Sequence, residues 1–140
     1  MTTVVDTNVI VSLWDRGHEL NATAQRALDA ALDRGALVVP GPVFAELMAL
    51  PGRTESFLDA FFQDTDVGVD CTLGESVWRV AGRAFQSYVG RRRKRGGPGP
   101  RRILADFLIG AYAASHDFPL LTLDEGLYRA GFPDLKIVRV

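Results

Sequence analysis

Short β-branched runs alternate along this chain with longer segments of helical periodicity, and that alternation limits its fold more than any other feature. Thr2–Val5 is one such run, ending at Asp6. Residues 36–39 form a second, closed by Pro40, Gly41 and Pro42, and residues 67–70 a third. Leu120–Thr122 follows Pro119, and residues 135–140 alternate apolar with polar. Runs of this length and composition read as strands. Helical patterns lie between them. Residues 8–14 follow the first strand directly. Residues 21–34 carry Ala24, Leu28, Ala31 and Leu32 at helical spacing, then Gly35 as a stop. Pro42 suits the first turn of a helix through Leu50, and residues 54–62 make another. A longer helix begins near Gly74 with Val77, Trp78, Ala81, Phe85 and Tyr88 along one face, until Gly96, Gly97, Pro98, Gly99 and Pro100 break it. The last strong helix runs from about Arg101 to Ser115. Strands alternating with helices over 140 residues specify a single α/β domain with a five-stranded, mostly parallel sheet flanked by helices.

Composition excludes several classes. Hydrophobic residues make up 47% and charged residues 24%, the balance of a globular protein. Cys71 is the only cysteine, so no internal disulfide forms, and no Cys/His spacing suggests zinc. A reducing compartment fits this usage. The segment MTTVVDTNVI has no basic start and no cleavage site, and no stretch approaches the roughly 18 apolar residues of a membrane helix. The expectation is a cytoplasmic protein without membrane contact.

Net charge is -1, but it is unevenly spread. Arg91, Arg92, Arg93, Lys94, Arg95, Arg101 and Arg102 are seven of the sixteen basic residues, and no acid interrupts them. The remaining nine face seventeen acids. An acidic body with one basic arm suggests a polyanionic partner held near an acidic site. A solvated loop without a binding role accounts for the same run.

In a parallel sheet, ligands bind beyond the carboxyl ends of the strands. Asp6 stands at such an end, and Asp124 follows the Leu120–Thr122 run. Glu46 lies one turn inside its helix among Val43, Phe44, Ala45, Leu47 and Met48. Asp106 is flanked by Leu104, Ala105, Phe107, Leu108 and Ile109. Each acid has a plainer explanation. Asp6 and Asp124 serve as helix caps, Glu46 faces solvent, and Asp106 answers a helix dipole. Capping, however, does not require convergence. If the four do converge, each pair ~5 Å apart repels by roughly 3 kcal/mol at an effective dielectric of ~20. A cation or raised pKa values must then offset the repulsion. All-oxygen donors favour magnesium or manganese, one ion or two. Such an ion polarises a phosphoryl oxygen and acidifies a bound water. Thr7, Asn8 and Thr122 are adjacent polar groups able to orient the acids, or to serve only as turn and cap residues. His18 and His116 are not at ligand spacing.

The segments VVDTNV, PVFAEL, ILADFLIGAYA and LLTLDEGLYR, in this order, resemble PIN-domain ribonucleases, and more narrowly the VapC-type toxins of bacterial toxin–antitoxin systems. The resemblance extends over essentially the whole chain. It implies that Asp6, Glu46, Asp106 and Asp124 bind one or two magnesium or manganese ions and that the protein cleaves RNA hydrolytically. Thr122 matches the family's threonine two residues before the last acid. The resemblance further implies a five-stranded parallel sheet, a homodimer, and inhibition by a small antitoxin bound near the active site. The run from Arg91 to Arg102 is longer than in many members, so its role, RNA or antitoxin contact, transfers least.

Rival readings fit the residues less well. A receiver domain needs adjacent acids after the first strand and a late lysine, but Asp6 has no acidic neighbour and the only lysines are Lys94 and Lys136. A haloacid-dehalogenase-type phosphatase needs an acid where Asn8 stands. No phosphate-binding glycine-lysine-serine loop is present. A non-catalytic nucleic-acid-binding module, using the basic segment 91–102, remains the alternative from another class.

Overall fold

The five expected strand regions form one sheet in which every neighbouring pair is parallel. The structure, a computed structural model, describes residues 1–94, 96 and 104–140. Its strands are β1 (Thr2–Val5), β2 (Ala36–Pro40), β3 (Gly68–Asp70), β4 (Leu120–Thr122) and β5 (Ile137–Arg139). Its helices are α1 (Thr7–Trp14), α2 (Asn21–Arg34), α3 (Gly41–Met48), α4 (Glu55–Thr65), α5 (Glu75–Lys94), α6 (Leu104–Ser115) and α7 (Glu125–Gly131). The glycine and proline residues 97–100, expected to break α5, and residues 101–103, expected to open α6, lie outside the described residues.

The strand order is β3-β2-β1-β4-β5. From β1 the chain proceeds outward through β2 to β3, and then returns to place β4 on the other side of β1. The order therefore reverses between β1 and β4. At such a switch point the flanking connections lead away in opposite directions and leave a crevice at the carboxyl edge. Val4 and Val5 pair with Leu120 and Leu121, and all four are fully buried. The residues following this pair, Asp6 and Thr122, therefore emerge together at the crevice.

Helix α6 is buried almost all round. Phe107, Leu108, Ile109, Gly110, Ala111, Tyr112 and Ala113 are all inside, as expected of a helix in the core rather than on the surface. Its first turn carries Asp106. A central helix thus delivers an acid to the crevice. Close packing makes this possible: Phe107 stacks on Phe85 of α5 at 5.2 Å and meets Phe132, just beyond α7, at 6.0 Å.

One expected face needs correction. Val77 and Ala81 are buried and Phe85 and Tyr88 partly so, but Trp78 is 51% exposed. Trp78 lies at the edge of that stripe, about 100° round the helix from Val77 and in the first turn of α5. Its indole N–H instead donates to the Leu73 carbonyl at 3.2 Å. Trp14 is half-buried, held edge-on by Phe57 and Phe61 at 5.0 Å each, with Arg53 over its ring.

The approach of Phe132 to α6 depends on Gly110. A Cβ there would lie 2.3 Å from the Phe132 ring, and Phe132 is itself buried. Gly110→Ala is therefore expected to lower the melting temperature by about 3–10 °C, the scale of an overpacked core. Gly82 of α5 has open space around its Cβ position. Gly82→Ala should raise the melting temperature by about 2–4 °C through helix propensity. Equal melting of the two variants by calorimetry would contradict the packing described.

Candidate functional site

Asp6 is 3% exposed and makes the first link of the site. As N-cap of α1, it accepts through Oδ1 from the Thr7 amide at 2.8 Å. Its Oδ2 accepts from the Thr122 hydroxyl of β4 at 2.7 Å. The Asp6 amide donates to the Leu121 carbonyl at 3.0 Å, extending the β1–β4 pairing by one residue. Thr122 Oγ1 in turn accepts from the Asp124 amide at 3.0 Å and lies 3.5 Å from Asn8 Nδ2. Asn8 Oδ1 accepts from the Leu123 amide at 3.1 Å. Asn8 and Thr122 thus stitch the ends of β1 and β4 together.

The other acids arrive on helices. Glu46 of α3 accepts through Oε1 from the Thr7 hydroxyl at 2.7 Å. Asp106, half-buried at the start of α6, accepts through Oδ1 from the hydroxyl of Tyr128 on α7 at 3.5 Å. Asp124 caps α7, with Oδ1 3.5 Å from the Leu127 amide. Capping and convergence therefore both hold for Asp6 and Asp124, because each helix begins where its strand reaches the crevice.

Electrostatics shows that the four acids share one neighbourhood. The Asp106 carboxyl is pushed up to about 7, mainly by burial and then by the charges of Asp6, Glu46 and Asp124; the Tyr128 hydroxyl opposes the rise. Burial likewise raises Asp6, against the hydrogen bonds from Thr122, Tyr128 and Thr7. Burial and the acids hold the Tyr128 phenol well above its ordinary range, so it is a donor. Among the described residues, the ion pairs engage Glu75 and Glu125 rather than these four acids.

Among the described residues, no group of three or more His, Cys, Asp or Glu side chains is placed to hold a metal ion as it stands. The donor set nevertheless fits a hydrated hard cation. Magnesium keeps several waters and takes one or two carboxylates rather than a closed protein cage. Carboxylates that repel one another enough to retain a proton near neutrality favour a positive charge between them. The histidines lie elsewhere. His116 packs on Tyr112 and Phe118, and His18 Nδ1 accepts from the Leu20 amide.

Of the basic run, Arg91, Arg92, Arg93 and Lys94 form the last turn of α5. Arg92 stacks over Tyr88 at 5.7 Å, and Arg91 lines a cleft of about 810 Å³ between α5 and the chain around Phe132. Arg95, Arg101 and Arg102 lie outside the described residues. Sequence reasoning does not single out Tyr128, although a signal for it exists: a tyrosine four residues after an acidic cap shares a helix face with that cap.

The sequence matches the PIN domain over residues 3–133. No curated protein matches the chain. Among solved structures, a chain of VapBC-1 from nontypeable Haemophilus influenzae superposes with a TM-score of 0.66 at 22% identity, covering 99% of this chain and 98% of that one. A chain of VapBC2 from Rickettsia felis, solved bound to a DNA fragment from its promoter, gives 0.64 at 16% identity, covering 100% and 99%. A chain of FitAcB from Neisseria gonorrhoeae gives 0.59 at 20%, covering 96% and 95%. At these identities the likeness establishes the fold.

The raised Asp106 has a consequence for the metal-free protein. Between about pH 4 and about pH 7, folded Asp106 binds a proton that the unfolded chain releases. Its contribution to stability therefore declines as pH rises through that window. Melting in the presence of chelator should show Asp106→Asn equal to wild type near pH 4 and more stable than wild type near pH 8. Parallel melting curves across the range would place Asp106 away from the other acids. Asp6→Asn is not expected to gain in this way, because both Asp6 oxygens accept from donors and an amide N–H would face one of them.

Proposed function

The chain belongs to the PIN-domain family, and from that premise we propose that it is a metal-dependent endoribonuclease that hydrolyses RNA phosphodiester bonds. The observation that carries this reading is the convergence of Asp6, Glu46, Asp106 and Asp124 at the β1–β4 switch point, where burial and then the charges of the other three raise Asp106. In this reading the four acids hold one or two magnesium or manganese ions. A bound ion of this kind supplies Lewis-acid polarisation of a phosphoryl oxygen and acidification of water. The chain's own groups prepare the place for it. Thr122 fixes Asp6 and the Asp124 backbone, Thr7 fixes Glu46, and Asn8 holds the Leu123 amide between them. The Thr7 and Thr122 hydroxyls are committed as donors to Glu46 and Asp6, and in the proposed hydrolysis the attacking group is water.

The reading extends to partners. The likeness to chains of VapBC and FitAcB assemblies supports a toxin role, with a small antitoxin as protein partner and a homodimer as working unit. RNA is the substrate, and the cytoplasm is the proposed location. Among the described residues no helix is long and apolar enough to cross a membrane. The cationic last turn of α5 is proposed to contact RNA or the antitoxin.

The direct test is to incubate RNA with the protein and magnesium or manganese, with and without EDTA. Cleavage should require the ion. Asp6→Asn and Asp106→Asn should each reduce it by at least about 100-fold, while circular dichroism shows the fold intact. Cleavage that persists in EDTA, or in both variants, would falsify the metal reading. RNA binding without cleavage would favour the non-catalytic module instead.

The basic turn has its own test. Replacing Arg91, Arg92 and Arg93 together by glutamine should weaken RNA binding. The slope of log affinity against log salt should fall by up to about 2, near 0.7 for each single-strand phosphate that is no longer neutralised. An unchanged slope would assign the turn to the antitoxin or to neither partner.

A further inference from the structure

Tyr128 lies one turn beyond Asp124 on α7, is 1% exposed, and directs its hydroxyl into the acid cluster. The phenol oxygen is 3.5 Å from Asp106 Oδ1, and it lies close enough to Asp6 to lower that carboxyl against the effect of burial. It thus bonds the acid at the start of α6 while lying near the one at the end of β1. The chain's other buried tyrosine, Tyr112, donates to Asp70 at the end of β3 instead. Burying a phenol hydroxyl is unfavourable unless it finds an acceptor. A phenylalanine would fill the same space without that requirement, so the hydroxyl's contribution falls on the acids it meets. A neutral donor also differs from a lysine or arginine in this position. It orients carboxylate oxygens without supplying a positive charge that competes with a cation.

We propose that Tyr128 is a positioning residue that holds Asp106 in place beside Asp6 and so sets the affinity of the site for a divalent cation. The inference rests on the nuclease reading above. Tyr128 does not touch the reacting atoms; it acts through Asp106. Oriented carboxylates bind an ion without first being ordered, and outer contacts of this type typically change metal affinity or activity by about 10–100-fold.

The test is Mn2+ binding to metal-free protein, followed by the electron paramagnetic resonance of free Mn2+, beside RNA cleavage as a function of Mn2+ concentration. Tyr128→Phe should bind Mn2+ about 10-fold more weakly. Its cleavage should need correspondingly more Mn2+ yet reach nearly the wild-type rate at saturation, a split that a loss of folding would not produce. A second measurement does not depend on that variant folding. In wild-type protein labelled with 13C at tyrosine Cζ, the chain has three tyrosines, and the Tyr128 signal is the one retained when Tyr88→Phe and Tyr112→Phe remove the others. Substoichiometric Mn2+ should broaden it. Wild-type Mn2+ affinity and metal dependence in Tyr128→Phe would overturn the inference while leaving the nuclease reading in place; a Tyr128 signal untouched by Mn2+ would put the ion away from Asp106 and overturn both. Absence of both Mn2+ binding and cleavage in the wild-type protein would overturn the nuclease reading, and the role of Tyr128 with it.

Discussion

The site depends on the side-by-side pairing of β1 and β4, which places the buried carboxylate of Asp6 against the hydroxyl of Thr122. Removing a carboxylate from water is costly unless hydrogen bonds replace the lost solvation. Asp6 receives them from the Thr7 amide and the Thr122 hydroxyl. The second of these donors comes from an element more than a hundred residues away in sequence. Only the parallel sheet, with its order reversing between β1 and β4, brings it within reach.

Around that buried acid the fold gathers three more, each from a different element. Glu46 comes from α3, Asp106 from α6 and Asp124 from the cap of α7. A protein of ordinary stability has little margin for such an arrangement, because folded domains rest only ~5–15 kcal/mol below the unfolded state. In the metal-free molecule burial, and then the charges of the other three acids, push the Asp106 carboxyl up to about 7. A cation answers the same repulsion without sacrificing the charge. The electrostatic tension is thus the physical form of the proposed function, and the apolar enclosure of α6 is what sustains it, since Phe107 through Ala113 exclude water behind Asp106.

Much of this is legible in the chain. The five strand regions, the parallel sheet and the four acids follow from short β-branched runs, glycine and proline punctuation, and acids placed at the ends of runs. Trp78 shows where a pattern misleads. Its place next to Val77 suggests a shared apolar face, but it stands at the edge of that face in the first turn of α5, and it lies half in solvent. Tyr128 shows a different limit. As a single residue in LDEGLYR it reads as a helix-face aromatic, and nothing local indicates that its hydroxyl meets Asp106 across 22 residues. The two readings of Asp6 and Asp124, cap or site, cannot be separated locally because both are true of the same side chains.

What the sequence by itself determined was periodicity and punctuation: where strands and helices run, and which residues are acidic at their boundaries. These are local properties, set by backbone preferences and by the repeat of side chains along each element. What only the tertiary structure decided was distance. Whether Thr122 reaches Asp6, whether Thr7 holds Glu46, and whether Asp106 is burdened by three other charges depend on strand order and on how α6 and α7 pack. Coulombic and hydrogen-bond energies vary with separation in space, and separation along the chain carries almost no information about it.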